Sequence, residues 1–262
     1  MKYGRVAAMW GLSMHEEIIV TAFSAKGYKE YGARLIESYI KSGSSFPMIV
    51  YTSEMDSLPH HPNIIHKKQE DICDLRDFLF RWRDSKQIAG CKPGPEWKPK
   101  YIQQGYNYRF DAHKFCRMVY VMWHAASMLG AHRMIWLDGD SVIRQKLPDD
   151  FFDRFLPPTA HISYLGRPAK YSETGFVAFR FPGAMPVLDE WAAMYTEDRF
   201  LDHKEWHSAY LFDRSREAKP EVRCHNLTPN GDGHVIHQCD VGKYIDHLKG
   251  SRKKRGVSPE AK

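Results

Sequence analysis

Apolar residues along this chain fall into short continuous runs and longer stretches at helical spacing, and their order predicts an α/β fold. IIVTAF (18–23) and PMIVYTS (47–53) are continuous apolar runs of strand composition. Residues 31–40 between them have the spacing of a helix, and strand, helix, strand in that order predicts parallel pairing. A weaker strand at 63–66 leads into an amphipathic helix over 72–87. The stretch 90–108, with Pro93, Pro95 and Pro99 among several aromatics, reads as a long loop. AHKFCRMVYVMWHAASMLG (112–130) is apolar at helical spacing and predicts a core helix just before RMIWLDGDSVI (133–143), a buried strand. HISYL (161–165) and FVAFRF (176–181) follow as strands bracketing the loop GRPAKYSETG. A helix over 186–195, the polar aromatic stretch DHKEWHSAYLFD and a final strand, HVIHQ (234–238), precede a basic tail. The expectation is one α/β domain with a mostly parallel central sheet flanked by helices. Its first half is 18–140, its second half 141–242 and its tail 243–262.

Composition narrows the class without choosing a function. The 262 residues are 43% hydrophobic and 27% charged, which is ordinary for a globular protein. No apolar run approaches the roughly 20 residues of a membrane span, and the amino-terminal MKYGRVAAMWGLSMHEE carries only a short apolar patch broken by charge. Cys73, Cys91, Cys116, Cys224 and Cys239 are odd in number, widely spaced and free of any CxxC pair, so they indicate neither a disulfide framework nor a zinc cluster. A protein of the reducing cytoplasm, without signal peptide or membrane span, is expected. Net charge is +6, and from Lys243 onward seven cations face Asp246 and Glu260, seven minus two, or +5. Such a tail suits a solvated terminus, a phosphate clamp or a nucleic-acid contact.

The strand at 133–143 ends on the chemistry. Asp138 and Asp140, separated by Gly139, stand at the carboxyl end of a central strand, where open α/β sheets bind ligands. Paired carboxylates there suit Mg2+ or Mn2+, and the glycine lets a phosphate or sugar approach the backbone. An isolated Asp-Gly-Asp also fits a plain turn. The tail breaks the tie, because His247, Gly250 and Lys253 spell H-x-x-G-x-x-K.

An aspartate pair after a central strand with a late H-x-x-G-x-x-K resembles the GT-A class of nucleotide-sugar glycosyltransferases, and the late motif resembles that of the glycogenin-like branch. The resemblance implies a Rossmann-like GT-A domain in which Asp138, Asp140 and His247 hold Mn2+ or Mg2+, while Gly250 and Lys253 contact the diphosphate of a nucleoside-diphosphate sugar, with a lean to uridine. It also puts Thr21 and Phe23 at the nucleotide base, with Asp138 reaching the donor as well, and Lys114 where a basic residue of the following helix reaches the donor. The branch's usual Pro-Trp after the lysine is replaced by Lys254 and Arg255, so branch and stereochemistry stay open. The physics agrees with the resemblance. A departing diphosphate needs positive charge, which a cation and lysines supply and carboxylates alone cannot. Glu173, in the SETG loop, is the candidate carboxylate beneath the sugar, either a base in an inverting reaction or a stabiliser of an oxocarbenium-like transition state in a retaining one. His207 and Asp213 are the reserve catalytic candidates. The acceptor is a saccharide, a protein side chain or, by analogy with phage enzymes that glycosylate hydroxymethylated bases, DNA.

Two other classes remain. IWLDGDSV also fits hhhhDxDx[TV], resembling haloacid dehalogenase-like phosphatases with Asp138 as nucleophile. That motif normally opens its domain, whereas 137 residues precede it here, and only the weak NGDG at 230–233 offers a later acidic partner. A nucleic-acid-binding module without catalysis would use the basic tail and the aromatic loop, but has no need of an aspartate pair.

Overall fold

The computed structural model describes residues 16–53, 58–91, 105–128 and 130–260; the amino-terminal stretch and the prolines of the predicted long loop lie outside them. Nine strands are present among these residues: β1 (Glu17–Phe23), β2 (Met48–Thr52), β3 (Ile64–Lys68), β4 (Arg133–Leu137), β5 (Ser141–Ile143), β6 (Ile162–Leu165), β7 (Glu173–Arg180), β8 (Cys224–Asn226) and β9 (Ile245–His247). Seven of them form one mixed, mostly parallel sheet in the order β3-β2-β1-β4-β7-β6-β8, and β5 pairs with β9 in a separate ribbon. β1 pairs parallel with β2 on one side and with β4 on the other, so the chain order reverses there and the crevice lies at the carboxyl ends of β1 and β4.

β1 is almost wholly buried, and its residues alternate between two cores as the two-residue period of a strand requires. Ile18 and Val20 face a core shared with helices Cys73–Trp82, Ala112–Met128, Met185–Thr196 and Ser208–Glu217. Ile19 and Phe23 face a second core built from helix Ala33–Ser42 and the short helix Phe151–Phe155. Among the described residues no helix is long and apolar enough to cross a membrane.

The structure departs from the sequence pattern at five places. The apolar run 133–143 is two strands: β4 stops at Leu137, and Asp138 to Asp140 form a turn closed by the Ser141 amide on the Asp138 carbonyl at 2.9 Å. Glu173 is not in a loop but opens β7, which runs antiparallel to both β4 and β6. The predicted strand HVIHQ is instead a 3-10 helix, Val235–Gln238; so short an apolar run fits either conformation. The basic tail is not merely solvated, since Ile245, Asp246, His247, Leu248 and Ser258 are buried. The helix predicted over 72–87 is also shorter, ending at Trp82.

Candidate functional site

The turn after β4 is built to hold its carboxylates in the crevice. The Asp138 amide continues the sheet by donating to the Gly175 carbonyl at 3.0 Å, and the Trp136 indole donates to Oδ1 of Asp138 at 2.9 Å. Gly139 leaves little room for a side chain: a Cβ there would stand 3.0 Å from the Phe23 ring and 3.1 Å from the Ala22 carbonyl. The turn is thus pressed onto the carboxyl end of β1.

β9 brings the tail to the same place. Ser141 is registered with His247, and the Leu248 amide donates to the Asp140 carbonyl at 2.9 Å. Nε2 of His247 then lies 2.9 Å from Oδ1 of Asp140 and 3.4 Å from Oδ2 of Asp138. The buried imidazole also lies against Gly175, where a Cβ would meet its ring at 2.2 Å. Beyond β9 the chain turns at Gly250, whose φ of +58° is left-handed and favours glycine. The short helix Arg252–Arg255 follows and aims Lys253 back, its Nζ 2.9 Å from Oδ2 of Asp140 and 4.5 Å from the Tyr31 ring centroid.

Glu173, the first residue of β7, completes the cluster. Its buried carboxylate pairs with Lys249, lies 3.6 Å from Arg167 and 3.5 Å from Nδ1 of His247, and accepts the Gly175 amide at 3.2 Å. Burial opposes its charge, but Lys249, His247 and Arg167 outweigh burial and hold it well below the usual carboxylate range. Asp140 follows the same pattern: burial pushes it up, and His247 with Lys253 outweighs burial and holds it below its ordinary value. Reciprocally, Asp140, Asp138 and Glu173 raise the His247 imidazolium well above its ordinary value against the effect of burial.

The donor atoms of Asp138, Asp140 and His247 all lie within 4.8 Å of one another. Two carboxylates and an imidazole form a set suited to Mn2+ or Mg2+, and the Lys253 ammonium already held on Asp140 marks the spot as one that attracts a cation.

The other predicted residues are arranged differently. Phe23 lies beside Gly139 and stacks on Tyr28 at 5.7 Å, within reach of the crevice, whereas Thr21 is fully buried in β1. The Lys114 ammonium sits over the Phe115 ring at 5.3 Å. His207 caps helix Ser208–Glu217 and bonds Glu205 at 2.8 Å. Burial, the largest influence, lowers its pKa. Asp213 accepts the Ser172 amide at 2.8 Å and the Ser172 hydroxyl at 2.6 Å, thereby bracing the residue before Glu173. Asp232, the acid of the NGDG stretch, is exposed and belongs to neither group of metal-type ligands among the described residues. Sequence reasoning missed Arg167, Lys249 and Trp136. Lys249 had a signal, since it sits inside the H-x-x-G stretch.

Beside Glu173 opens a cleft of about 350 Å3 lined by Tyr164, Arg167, Tyr171, Tyr210, Asp213 and Asn226 among others. Arg167, Arg214 and Arg216 lie over the rings of Tyr171, Tyr210 and Tyr164. They also pair with Glu173, Glu217 and Asp213, so most of the cleft's positive charge is compensated.

No family model and no curated protein sequence matches this chain. Solved structures resemble it distantly. Mouse xyloside xylosyltransferase 1 has 13% identity over 80% of this chain and 85% of its own, with a TM-score of 0.48. A glycosyltransferase involved in glycosylation of the major capsid of PBCV-1 has 11% identity over 91% of this chain and 97% of its own, with a TM-score of 0.45. The glycosyltransferase GlyE of Streptococcus pneumoniae has 11% identity over 80% of this chain but only 45% of its own, with a TM-score of 0.41.

Proposed function

We propose that this chain is a metal-dependent glycosyltransferase that moves a sugar from a nucleoside diphosphate, UDP by the family lean, to a hydroxyl acceptor. The observation that carries the reading is the convergence of Asp138, Asp140 and His247, from opposite ends of the second half of the chain, with Lys253 and Lys249 beside them. Three ligands for a divalent cation and two ammonium groups at the mouth of an α/β crevice supply the positive charge that diphosphate departure requires. When bound, the cation would offset charge on the leaving diphosphate. Lys253, held on Asp140 in this structure, is positioned to exchange that partner for the diphosphate, and Gly250 gives the tail the turn that aims it.

Glu173 has the properties of a charge stabiliser rather than a base. A general base works best when its pKa lies near the working pH, whereas Lys249, His247 and Arg167 hold Glu173 well below the usual carboxylate range against its burial. A charged carboxylate is suited to a positively charged, oxocarbenium-like transition state. The adjoining cleft, with tyrosine rings, Asp213 and Asn226 on its walls and little uncompensated charge, suits a saccharide-type hydroxyl acceptor better than DNA.

The phosphatase alternative gains no later acidic partner from NGDG, because Asp232 is exposed and outside the cluster. Asp140→Asn is expected to abolish metal-dependent sugar transfer while leaving a folded protein, measured by donor turnover and circular dichroism. A covalent phosphate trapped on Asp138 would instead establish phosphatase chemistry.

A further inference from the structure

Beside the first cluster lies a second group of ligand-type side chains that takes no part in it. Nε2 of His237 is 2.9 Å and Nε2 of His234 is 3.8 Å from Oδ1 of Asp246, and the ligating atoms of the three residues all lie within 4.8 Å of one another. The H-x-x-H spacing spans the start of the 3-10 helix Val235–Gln238: His234 stands at its N-cap, His237 lies within it, and their ring centroids are 5.1 Å apart. Asp246 and His247 are neighbours in β9, where successive side chains point to opposite faces, so one short strand supplies a ligand to each group. The His234 and His247 ring centroids are 6.3 Å apart.

The second group is enclosed and held in place. His234 and His237 expose 7% and 8% of their side chains and Asp246 only 2%. Gly242 leaves the space for His237, since a Cβ there would stand 2.9 Å from Nδ1 of that ring and 2.6 Å from the Ile236 carbonyl. Oδ2 of Asp246 accepts the Ser258 amide at 2.8 Å, and the Ser258 hydroxyl lies 3.3 Å from Nε2 of His234.

We propose that His234, His237 and Asp246 form a second cation site, selective for Zn2+ and distinct from the aspartate-rich site at Asp138 and Asp140. Two imidazoles and one carboxylate oxygen are a donor set zinc prefers over magnesium or manganese. The spacing agrees: ligands about 2.1 Å from a tetrahedral zinc stand about 3.4 Å from one another, and the observed 2.9 Å and 3.8 Å bracket that separation. An Asp–His hydrogen bond alone would need only His237; at 3.8 Å, His234 is out of hydrogen-bond reach of the carboxylate but within the span of a shared cation. Ser258 or water would take the fourth position. A cation there would fasten the segment around Ser258, and with it the short helix carrying Lys253, to β9.

The test uses the full chain carrying Asp138→Asn and Asp140→Asn, stripped of metal, which removes the first site from the measurement. Zinc uptake is followed by competition with a chromophoric chelator, and Co2+ is added separately to read coordination from its visible absorption. The expected results are stoichiometric zinc binding, the intense Co2+ absorption of four-coordinate geometry, and loss of both on adding His237→Ala. Failure of the double variant to bind zinc or to give that Co2+ spectrum would overturn the proposal, as would undiminished zinc binding after His237→Ala in a chain still folded by circular dichroism. If His237→Ala does not fold, the Co2+ spectrum of the double variant decides by itself.

Discussion

At Gly175 a single added carbon would stand 2.2 Å from Cε1 and Nδ1 of His247, a distance no Cβ contact tolerates. The ring is buried and pinned between Asp140 and Glu173, so Gly175→Ala must displace it from the position that faces the aspartates. The expected cost is about 1 to 3 kcal/mol of stability, with a weakened Mn2+-induced rise in Tm. An unchanged Mn2+ shift would remove His247 from the ligand set. Residue identities at this site were legible where a residue type must serve a stated chemistry: Asp138, Asp140, His247, Lys253 and Glu173 all meet. Arg167 was not legible, because its partner, Glu173, is brought to it only by the reversed direction of β7, which also hid the pairing of Glu173 with Lys249 inside the H-x-x-G stretch. Lys114 was chosen by its position in the order of elements and His207 as a reserve catalytic residue, and their observed contacts are with Phe115 and Glu205.

Among the elements, β9 and the turn beyond it make the tail more than a solvated terminus. Ile245 and Leu248 are buried beside His247, and each contributes about 1.5 to 3 kcal/mol by burial. Truncation after Tyr244 is therefore expected to unfold or severely destabilise the chain, not merely to inactivate it, as a thermal melt would show. Substitution separates the functions more cleanly. Lys253→Ala should weaken nucleoside-diphosphate affinity by about 1.5 to 3 kcal/mol, whereas the exposed Lys254→Ala should leave it unchanged, by calorimetric titration. Equal effects would make the tail's contribution a diffuse charge rather than a directed contact. Continuous runs such as β1 and β2 could be read because strands buried on both faces have few alternatives, while residues 235–238 could not, since so short a run does not reveal its period. The antiparallel course of β7 also escaped, because strand direction is set by contacts distant in sequence.

For the molecule as a whole, the linked charges predict an alkaline weakness that a cation cures. His247 is raised above its ordinary value despite burial, by Asp140, Asp138 and Glu173. Its pairing stabilises fully below the unfolded value of about 6.5 and fades as pH climbs toward the folded value. Asp140 and Glu173, held low by their cationic partners against burial, act oppositely: their contribution is present above about pH 4 to 4.5 and is lost on acidification. Metal-free protein should therefore lose Tm as pH rises above about 6.5, and the gain from Mn2+ should grow over the same range as protons leave its ligand. Asp140→Asn should flatten the metal-free alkaline slope. A slope unaffected by that change would assign the weakness elsewhere.

The central claim is that a divalent cation joins Asp138, Asp140 and His247 to a donor diphosphate, and titrating UDP into metal-depleted protein with and without Mn2+ tests it most directly. With Mn2+, UDP at about 100 times its Kd should stabilise the fold by about 2.7 kcal/mol. Without the cation, the carboxylates repel the diphosphate and the shift should vanish. An equal UDP shift in both conditions, or one that survives Asp140→Asn with Mn2+ present, would contradict the account.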